Sequence, residues 1–145
     1  MSESSLHLSL VIALKDWIGD SKILGEEPIL YIDNPDSNDQ SRPSKIRGHL
    51  PDVVAKNQRL NRELVGEAKT ASDLTTKRSK LQIEDFIVYC SDNPDRLLAL
   101  ATVWDHVRYA NVLVKEICAS RKLDNLNYAI IDQFKNTVVL ANGWI

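Results

Sequence analysis

Two stretches decide the fold of this sequence: Arg47-Gly-His-Leu-Pro-Asp-Val-Val-Ala55 and Leu64-Val-Gly-Glu-Ala-Lys-Thr70. Each is rich in apolar and β-branched residues, and the polar segment Asn57-Gln-Arg-Leu-Asn61 lies between them. This pattern is typical of two strands joined by a short turn. We therefore predict an antiparallel hairpin with strands at about 49–56 and 62–69.

The hairpin would bring charged side chains together on one face of the sheet. Side chains alternate between the two faces of a strand, so Glu67 and Lys69 point the same way. A loop formed by residues 58–61 would place Asp52 directly opposite Glu67, and Leu50 opposite Lys69. Directly opposed side chains have Cβ atoms about 5 Å apart. The sequence thus predicts two carboxylates and a lysine side by side.

This arrangement has two readings. Two neighbouring carboxylates repel each other, and burial raises the pKa of one of them. A divalent cation removes the repulsion, and Mg²⁺ binds through one or two protein carboxylates. Lys69 would then orient a water molecule or neutralise charge on a phosphoryl group. The alternative is a surface ion pair between the strands; because Asp52 lies among Leu50, Val53 and Val54, the active-site reading is favoured.

The residues before the hairpin predict a helix, a strand and a loop. Apolar residues recur at helical spacing over 4–18, and Gly19 follows as a stop signal. Residues 28–32 are short and β-branched, which indicates a strand. Residues 33–45 are almost wholly polar and turn-forming, so we expect a mobile surface loop there.

The residues after the hairpin alternate between helix and strand patterns. One helix is predicted to end at the break at residues 91–94, with one face formed by Ser79, Ile83, Phe86, Ile87 and Cys90. A second helix is predicted over 105–121. The apolar run 97–103 indicates a central strand covered on both faces. Two short strands, 128–132 and 137–140, close the chain. This order predicts an α/β fold, a mixed central sheet flanked by helices, in one domain over 1–145.

Charge and composition narrow the function classes. Residues 1–41 carry a net charge of −6 and residues 42–80 a net charge of +6, although the whole chain has a net charge of only −2. The basic middle third is suited to a local phosphate-binding surface or to a solvated face. No apolar run has membrane-spanning length, and the N-terminus lacks the pattern of a secretory signal. The two cysteines make no disulfide scaffold, so we expect a cytoplasmic protein.

The two stretches resemble a known family. Gly48-His-Leu-Pro-Asp52 and, fourteen residues later, Gly66-Glu-Ala-Lys-Thr70 are similar to the active-site signature of the PD-(D/E)XK nuclease superfamily. This superfamily includes restriction endonucleases and Holliday-junction resolvases. The resemblance implies a restriction-endonuclease-like αβββαβ core, which matches the predicted elements from the first helix through Val103.

The resemblance also implies roles for individual residues. It implies Asp52 and Glu67 as Mg²⁺ ligands, with the backbone carbonyl of Ala68 as a further ligand. Lys69 would position or activate the attacking water, and Gln82 matches a polar helix residue that many members aim at the metal site. Several subfamilies carry an additional acidic ligand on the first helix, where this sequence has only Glu3 and Asp16 near the helix ends.

Five basic residues flank the signature and are candidate phosphate contacts: Lys45, Arg47, Lys77, Arg78 and Lys80. Each is equally suited to a solvated position. His49 alternates to the opposite strand face from Asp52, so we do not expect it to act as a base. His7 and His106 lack companion ligands at metal spacing and are predicted to be structural. Gln82 has an alternative as an ordinary exposed helix residue.

The sequence therefore predicts a Mg²⁺-dependent nuclease that hydrolyses phosphodiester bonds, in DNA rather than RNA, with Mn²⁺ able to replace Mg²⁺. A homodimer is expected if both strands of a duplex are to be cut. The alternative is a nuclease-fold domain that acts as a binding or regulatory module, or as a subunit of a larger complex. A weaker alternative is a metal-dependent hydrolase that acts on a nucleotide.

Overall fold

The computed structural model describes residues 3–33, 41–142 and 144, with the side chains described from Ser5 onward. Most of the predicted loop 33–45 therefore lies outside the described residues. Its last part, residues 41–45, runs on to the hairpin with Pro43 buried.

The chain alternates between helices and strands as the sequence predicts. Its elements are α1 (Glu3–Ser21), β1 (Ile29–Ile32), β2 (Val53–Asn57), β3 (Arg62–Ala68), α2 (Ala71–Leu74), α3 (Lys77–Ser91), β4 (Arg96–Ala101), α4 (Val107–Arg121), β5 (Tyr128–Ile131) and β6 (Thr137–Ala141). A short 3-10 helix, Trp104–His106, directly precedes α4.

The six strands form one mixed sheet in the order β1-β2-β3-β4-β5-β6. The pairs β1–β2, β2–β3 and β5–β6 are antiparallel, whereas β3–β4 and β4–β5 are parallel. The two parallel pairs are those whose connections contain helices α3 and α4, as parallel neighbours require. The coarse prediction of an α/β fold with a mixed sheet flanked by helices is confirmed.

Both faces of the sheet are covered by helices. Leu10, Leu14, Trp17 and Ile18 of α1 pack on one face, while residues of α3 and α4, including Ile83, Phe86, Ile87 and Val114, pack on the other. β4 contacts both layers, because Leu97 and Ala99 belong to the first cluster and Leu98 and Leu100 to the second. The prediction of a central strand covered on both faces is confirmed, but β4 ends at Ala101, so residues 102 and 103 of the predicted range 97–103 lie outside it.

A close approach between α1 and the sheet depends on Gly66. A Cβ atom at this position would lie 2.6 Å from Cδ2 of Leu14 and 3.2 Å from Cβ of Val53. The missing side chain thus lets Leu14 rest directly on β3 at the residue that precedes Glu67.

Several boundaries differ from the sequence prediction. α1 continues through Gly19 to Ser21, because Leu24, just beyond its end, is fully buried and extends the apolar layer. β2 begins only at Val53, so residues 49–52 lie outside the strand and Asp52 directly precedes it. Residues 46–49 instead make a turn closed by hydrogen bonds between Ile46 and His49, with Gly48 at φ +84°.

No helix within the described part of the chain combines the length and the apolarity needed to cross a bilayer.

Candidate active site

Asp52 and Glu67 lie at one end of the β2–β3 pair. Glu67 lies on the same face of β3 as Val65, which packs against α3. The strands pair Val53 with Gly66 and Val54 with Val65, the register that the four-residue turn predicts. One step further along this register, Asp52 lies opposite Glu67. Both residues are buried, with 7% and 3% of the residue surface exposed, and their carboxyl groups are hydrogen-bonded.

The two carboxyl groups have opposite pKa shifts. Burial and the neighbouring Asp52 raise the pKa of Glu67 well above its usual value. Burial alone would also raise the pKa of Asp52, but hydrogen bonds from Glu67, His7 and Ala68 hold it below its usual value. Two carboxyl groups this close do not both ionise readily in a buried site. Glu67 therefore holds the proton of the pair and Asp52 the negative charge.

Asp52 is held by two further donors. The backbone N–H of Ala68 donates to its Oδ2 at 2.8 Å, and His7 of α1 lies 3.2 Å from the same oxygen through Nε2. The hydrogen bond to Asp52 raises the pKa of His7. α1 thus contributes a histidine to the carboxylate pair at the end of the sheet.

One oxygen of the pair remains without a partner. Glu67 Oε2 is buried and has no hydrogen bond. Such an atom is costly in a folded protein unless something binds to it. A pair of carboxylates with one unused oxygen fits the donor set that Mg²⁺ takes from proteins, namely one or two carboxylates completed by water or phosphate oxygens.

The protein ligands of such a cation would be few. Within residues 3–33 and 41–142, no three His, Cys, Asp or Glu side chains are arranged as a metal centre. The donors at hand are Asp52 and Glu67, together with the backbone at Ala68, whose N–H already contacts Asp52.

Lys69 and Gln82 meet beside the carboxylate pair. Lys69 follows the end of β3, and its backbone N–H donates to the carbonyl of Ala101 on β4. Its Nζ donates to Oε1 of Gln82 on α3 at 2.5 Å. Both side chains are half-buried. The structure therefore brings together Asp52, Glu67, Lys69 and Gln82, the four predicted catalytic residues.

α3 is placed by its N-cap and by its apolar face. Thr76 caps the helix by accepting a hydrogen bond from the N–H of Ser79. Ser79, Ile83, Phe86, Ile87 and Cys90 are buried, as their spacing predicts. Because Gln82 precedes buried Ile83 in the second turn, it lies at the border of this apolar face, within reach of Lys69.

The five predicted phosphate contacts have different surroundings. Lys45, Lys77, Arg78 and Lys80 are exposed. Arg47 is also exposed, but its Nε donates to Oδ1 of Asp85 at 3.0 Å, and His49 lies 2.8 Å from the other oxygen of that carboxylate. These two contacts lower the pKa of Asp85 against the opposing effect of burial, and they fasten the turn at 46–49 to α3.

Sequence reasoning missed the contact of His7. It treated this residue as structural because no companion ligand lies near it in the chain. Its partner Asp52 is 45 residues away, and only the packing of α1 across the sheet brings the two together. The repeat of Leu10, Leu14 and Trp17 could have supplied the signal, since His7 lies one turn before Leu10 on the same side of the helix.

In comparisons with protein-family models, with curated proteins and with solved structures, nothing matches the chain.

Proposed function

We propose that this protein is a Mg²⁺-dependent nuclease that hydrolyses phosphodiester bonds in DNA, and that it is a member of the PD-(D/E)XK superfamily. The elements from α1 to β4 follow the αβββαβ order of that superfamily's core, apart from the short added helix α2. One observation carries the proposal: Asp52 and Glu67 are buried, directly opposed and hydrogen-bonded, and Oε2 of Glu67 has no partner. A sheet has no structural use for such a pair.

Each residue of the proposed site would have its own chemical role. Asp52 and Glu67 would hold the cation, with the carbonyl of Ala68 as a further ligand. The cation, when bound, stabilises negative charge that develops on the phosphate and lowers the pKa of bound water. Lys69 would position the attacking water, and Gln82 holds the Lys69 ammonium through their hydrogen bond. Mn²⁺, which accepts the same oxygen ligands, should replace Mg²⁺.

The proposal is tested by cleavage of labelled DNA in the presence of Mg²⁺. Branched, duplex, nicked and single-stranded substrates should be incubated with the wild type and with Glu67→Gln and Lys69→Met. We expect wild-type cleavage that EDTA abolishes and that both variants lose. Glu116→Gln, an exposed substitution on α4, is the matched control and should cleave as the wild type does. Cleavage by Glu67→Gln at the wild-type rate would contradict the proposal.

A binding or regulatory module built on the same fold is the competing function. Calorimetric titration with Mg²⁺ or Mn²⁺ separates the two, because a module has no need to bind the cation. Undetectable binding at millimolar metal, together with intact folding, would favour the module.

Cleavage of both duplex strands would in addition require a second copy of the chain. The unpaired thiols of Cys90 and Cys118 are in keeping with a reducing, cytoplasmic setting.

A further inference from the structure

A cavity of about 360 Å³ lies on the face of the sheet that Glu67 also faces. Val54 and Lys56 of β2 form part of its wall. Glu63 of β3 also lines it, and Glu67 lies four residues further along the same strand, so the two share a face at a separation of roughly 13 Å. Residues 42–47, in the segment that leads into Asp52, also line the cavity.

Cations dominate the wall of this cavity. Arg42, Lys45, Arg47 and Lys56 line it, and among the described residues the lining holds one carboxylate, that of Glu63. Arg47 is already paired with Asp85, which lies outside the wall. The Glu63 carboxylate already has a partner outside the cavity wall, since Arg96 Nε lies 3.5 Å from it. Lys45 is exposed and forms no ion pair with any described residue. The cavity is therefore suited to an anionic ligand.

Glu63 is also neutralised from within the wall. Lys56 Nζ lies 3.5 Å from its carboxylate, and the hydroxyl of Tyr89 donates to it at 2.5 Å. Burial and this hydrogen bond raise the pKa of Tyr89 to about 12, so the hydroxyl stays protonated at neutral pH. The carboxylate thus does little to repel an anion in the cavity.

Two tyrosines add flat apolar surface to the cations. Tyr31 of β1 and Tyr89 of α3 both line the cavity. Lys56 Nζ lies 5.9 Å from the centre of the Tyr31 ring, and the guanidinium of Arg96 lies 3.8 Å from the centre of the Tyr89 ring. Aromatic rings beside cationic groups are the combination that binds a base by stacking and its phosphate by charge.

We propose that this cavity binds one phosphorylated nucleoside, a nucleotide of the strand whose neighbouring phosphate lies at Asp52 and Glu67. The inference rests on the proposed function for the identity of that strand, but not for the chemistry of the cavity. Its volume is at the lower end of the range of small-ligand sites, which suits one nucleotide unit. A contact to phosphate alone would need a basic surface and no enclosed aromatic space.

Binding is tested first without metal, so that the carboxylate pair contributes nothing. Calorimetric titration in EDTA compares 2′-deoxyadenosine 5′-monophosphate with inorganic phosphate and with deoxyadenosine. We expect the nucleotide to bind most tightly. Lys45→Gln should weaken its binding about tenfold, the loss of one charge-assisted contact. Tyr31→Leu should weaken both the nucleotide and the nucleoside, and circular dichroism checks that it remains folded.

Lys15→Gln is the matched control, because Lys15 is exposed on α1 and lies on the other side of the sheet. It should bind the nucleotide as the wild type does. Failure of the nucleotide to bind at millimolar concentration, or equal binding by wild type and Lys45→Gln, would overturn the proposal.

A second measurement identifies the source of the nucleotide. With a DNA strand as substrate, Lys45→Gln should raise KM more than it lowers kcat. Weakened nucleotide binding with an unchanged KM would overturn the strand assignment and leave a free nucleotide as the ligand. If the wild type cleaves no substrate at all, the proposed function fails, whereas the titration in EDTA still decides whether the cavity binds a nucleotide.

Discussion

Asp52 and Glu67 share a hydrogen bond at the end of the antiparallel pair β2–β3, where both residues are buried from water. Burial and the negative charge of Asp52 keep Glu67 protonated. The hydrogen bonds that Asp52 accepts from Glu67, His7 and Ala68 keep Asp52 ionised. Two negative charges at this site would repel each other, and either a proton on Glu67 or a bound cation removes that repulsion. The stability of the protein should therefore depend on pH and on metal.

The first prediction concerns the pH dependence of stability in metal-free buffer. Because the pKa of Glu67 is raised, the folded protein keeps a proton that the unfolded chain releases near the ordinary glutamate pKa. Its free energy of unfolding should therefore fall as the pH rises from that range toward the folded pKa. Glu67→Gln removes this loss. We expect denaturant unfolding to give similar stabilities at pH 4 and a variant more stable by about 1 to 3 kcal/mol at pH 8.

Glu116→Gln provides the comparison for this measurement, since Glu116 is exposed on α4. Its difference from the wild type should stay constant over the same pH range. A wild type that gains stability relative to Glu67→Gln between pH 4 and pH 8 would show that Glu67 is ionised in the folded protein.

The second prediction concerns the cation. A ligand that binds only the folded state stabilises it by about 2.7 kcal/mol at one hundred times its Kd. Mg²⁺ or Mn²⁺ should therefore raise the thermal midpoint of the wild type, and EDTA should reverse the shift. Asp52→Asn removes the ionised member of the pair and should abolish it. A shift of the same size in the variant would place the cation elsewhere on the molecule.

The third prediction concerns the hydrogen bond between Lys69 and Gln82. Lys69→Met should lower kcat by about 100-fold or more, the scale of lost assistance to a nucleophile. Gln82→Ala should cost less, about tenfold, because it frees the ammonium without removing it. Combined with Lys69→Met, it should cost nothing further, since residues that act as a unit are not additive. A full additional loss in the double variant would mean that Gln82 acts independently of Lys69.

The fourth prediction concerns the close approach at Gly66. In Gly66→Ala the added Cβ atom pushes Leu14 and Val53 away from position 66. Overpacking of this kind typically lowers the free energy of unfolding by about 1 to 3 kcal/mol. Gly19→Ala is the matched control, because nothing lies within 4 Å of a Cβ atom at this helical position. It should stabilise the protein by up to about 1 kcal/mol through helix propensity. Urea unfolding of both variants measures the contrast, and equal effects would show that Leu14 moves freely.

Local pattern sufficed for much of the fold. The turn at 58–61 fixed the pairing of Val53 with Gly66, and from it the opposition of Asp52 and Glu67, because register in a hairpin follows from loop length. The spacing of Ser79, Ile83 and Phe86 identified the buried face of α3 for the same local reason.

Contacts between distant residues were beyond such reasoning. His7 contacts Asp52 because α1 packs on the sheet with His7 beside the start of β2. Arg47 and His49 contact Asp85 because α3 packs beside the turn at 46–49. Gly19 looked like a helix stop, but burial of Leu24 carried α1 past it. Tertiary packing decided each of these features, and no pattern within a single element contains it.

The four polar side chains of the proposed site all come from one uninterrupted span, residues 52–82, while α1 and the later strands mainly enclose it. The span could therefore be grafted as one piece onto another sheet. The host would then have to supply the strands and helices that bury it and a histidine in the place of His7, which contacts Asp52.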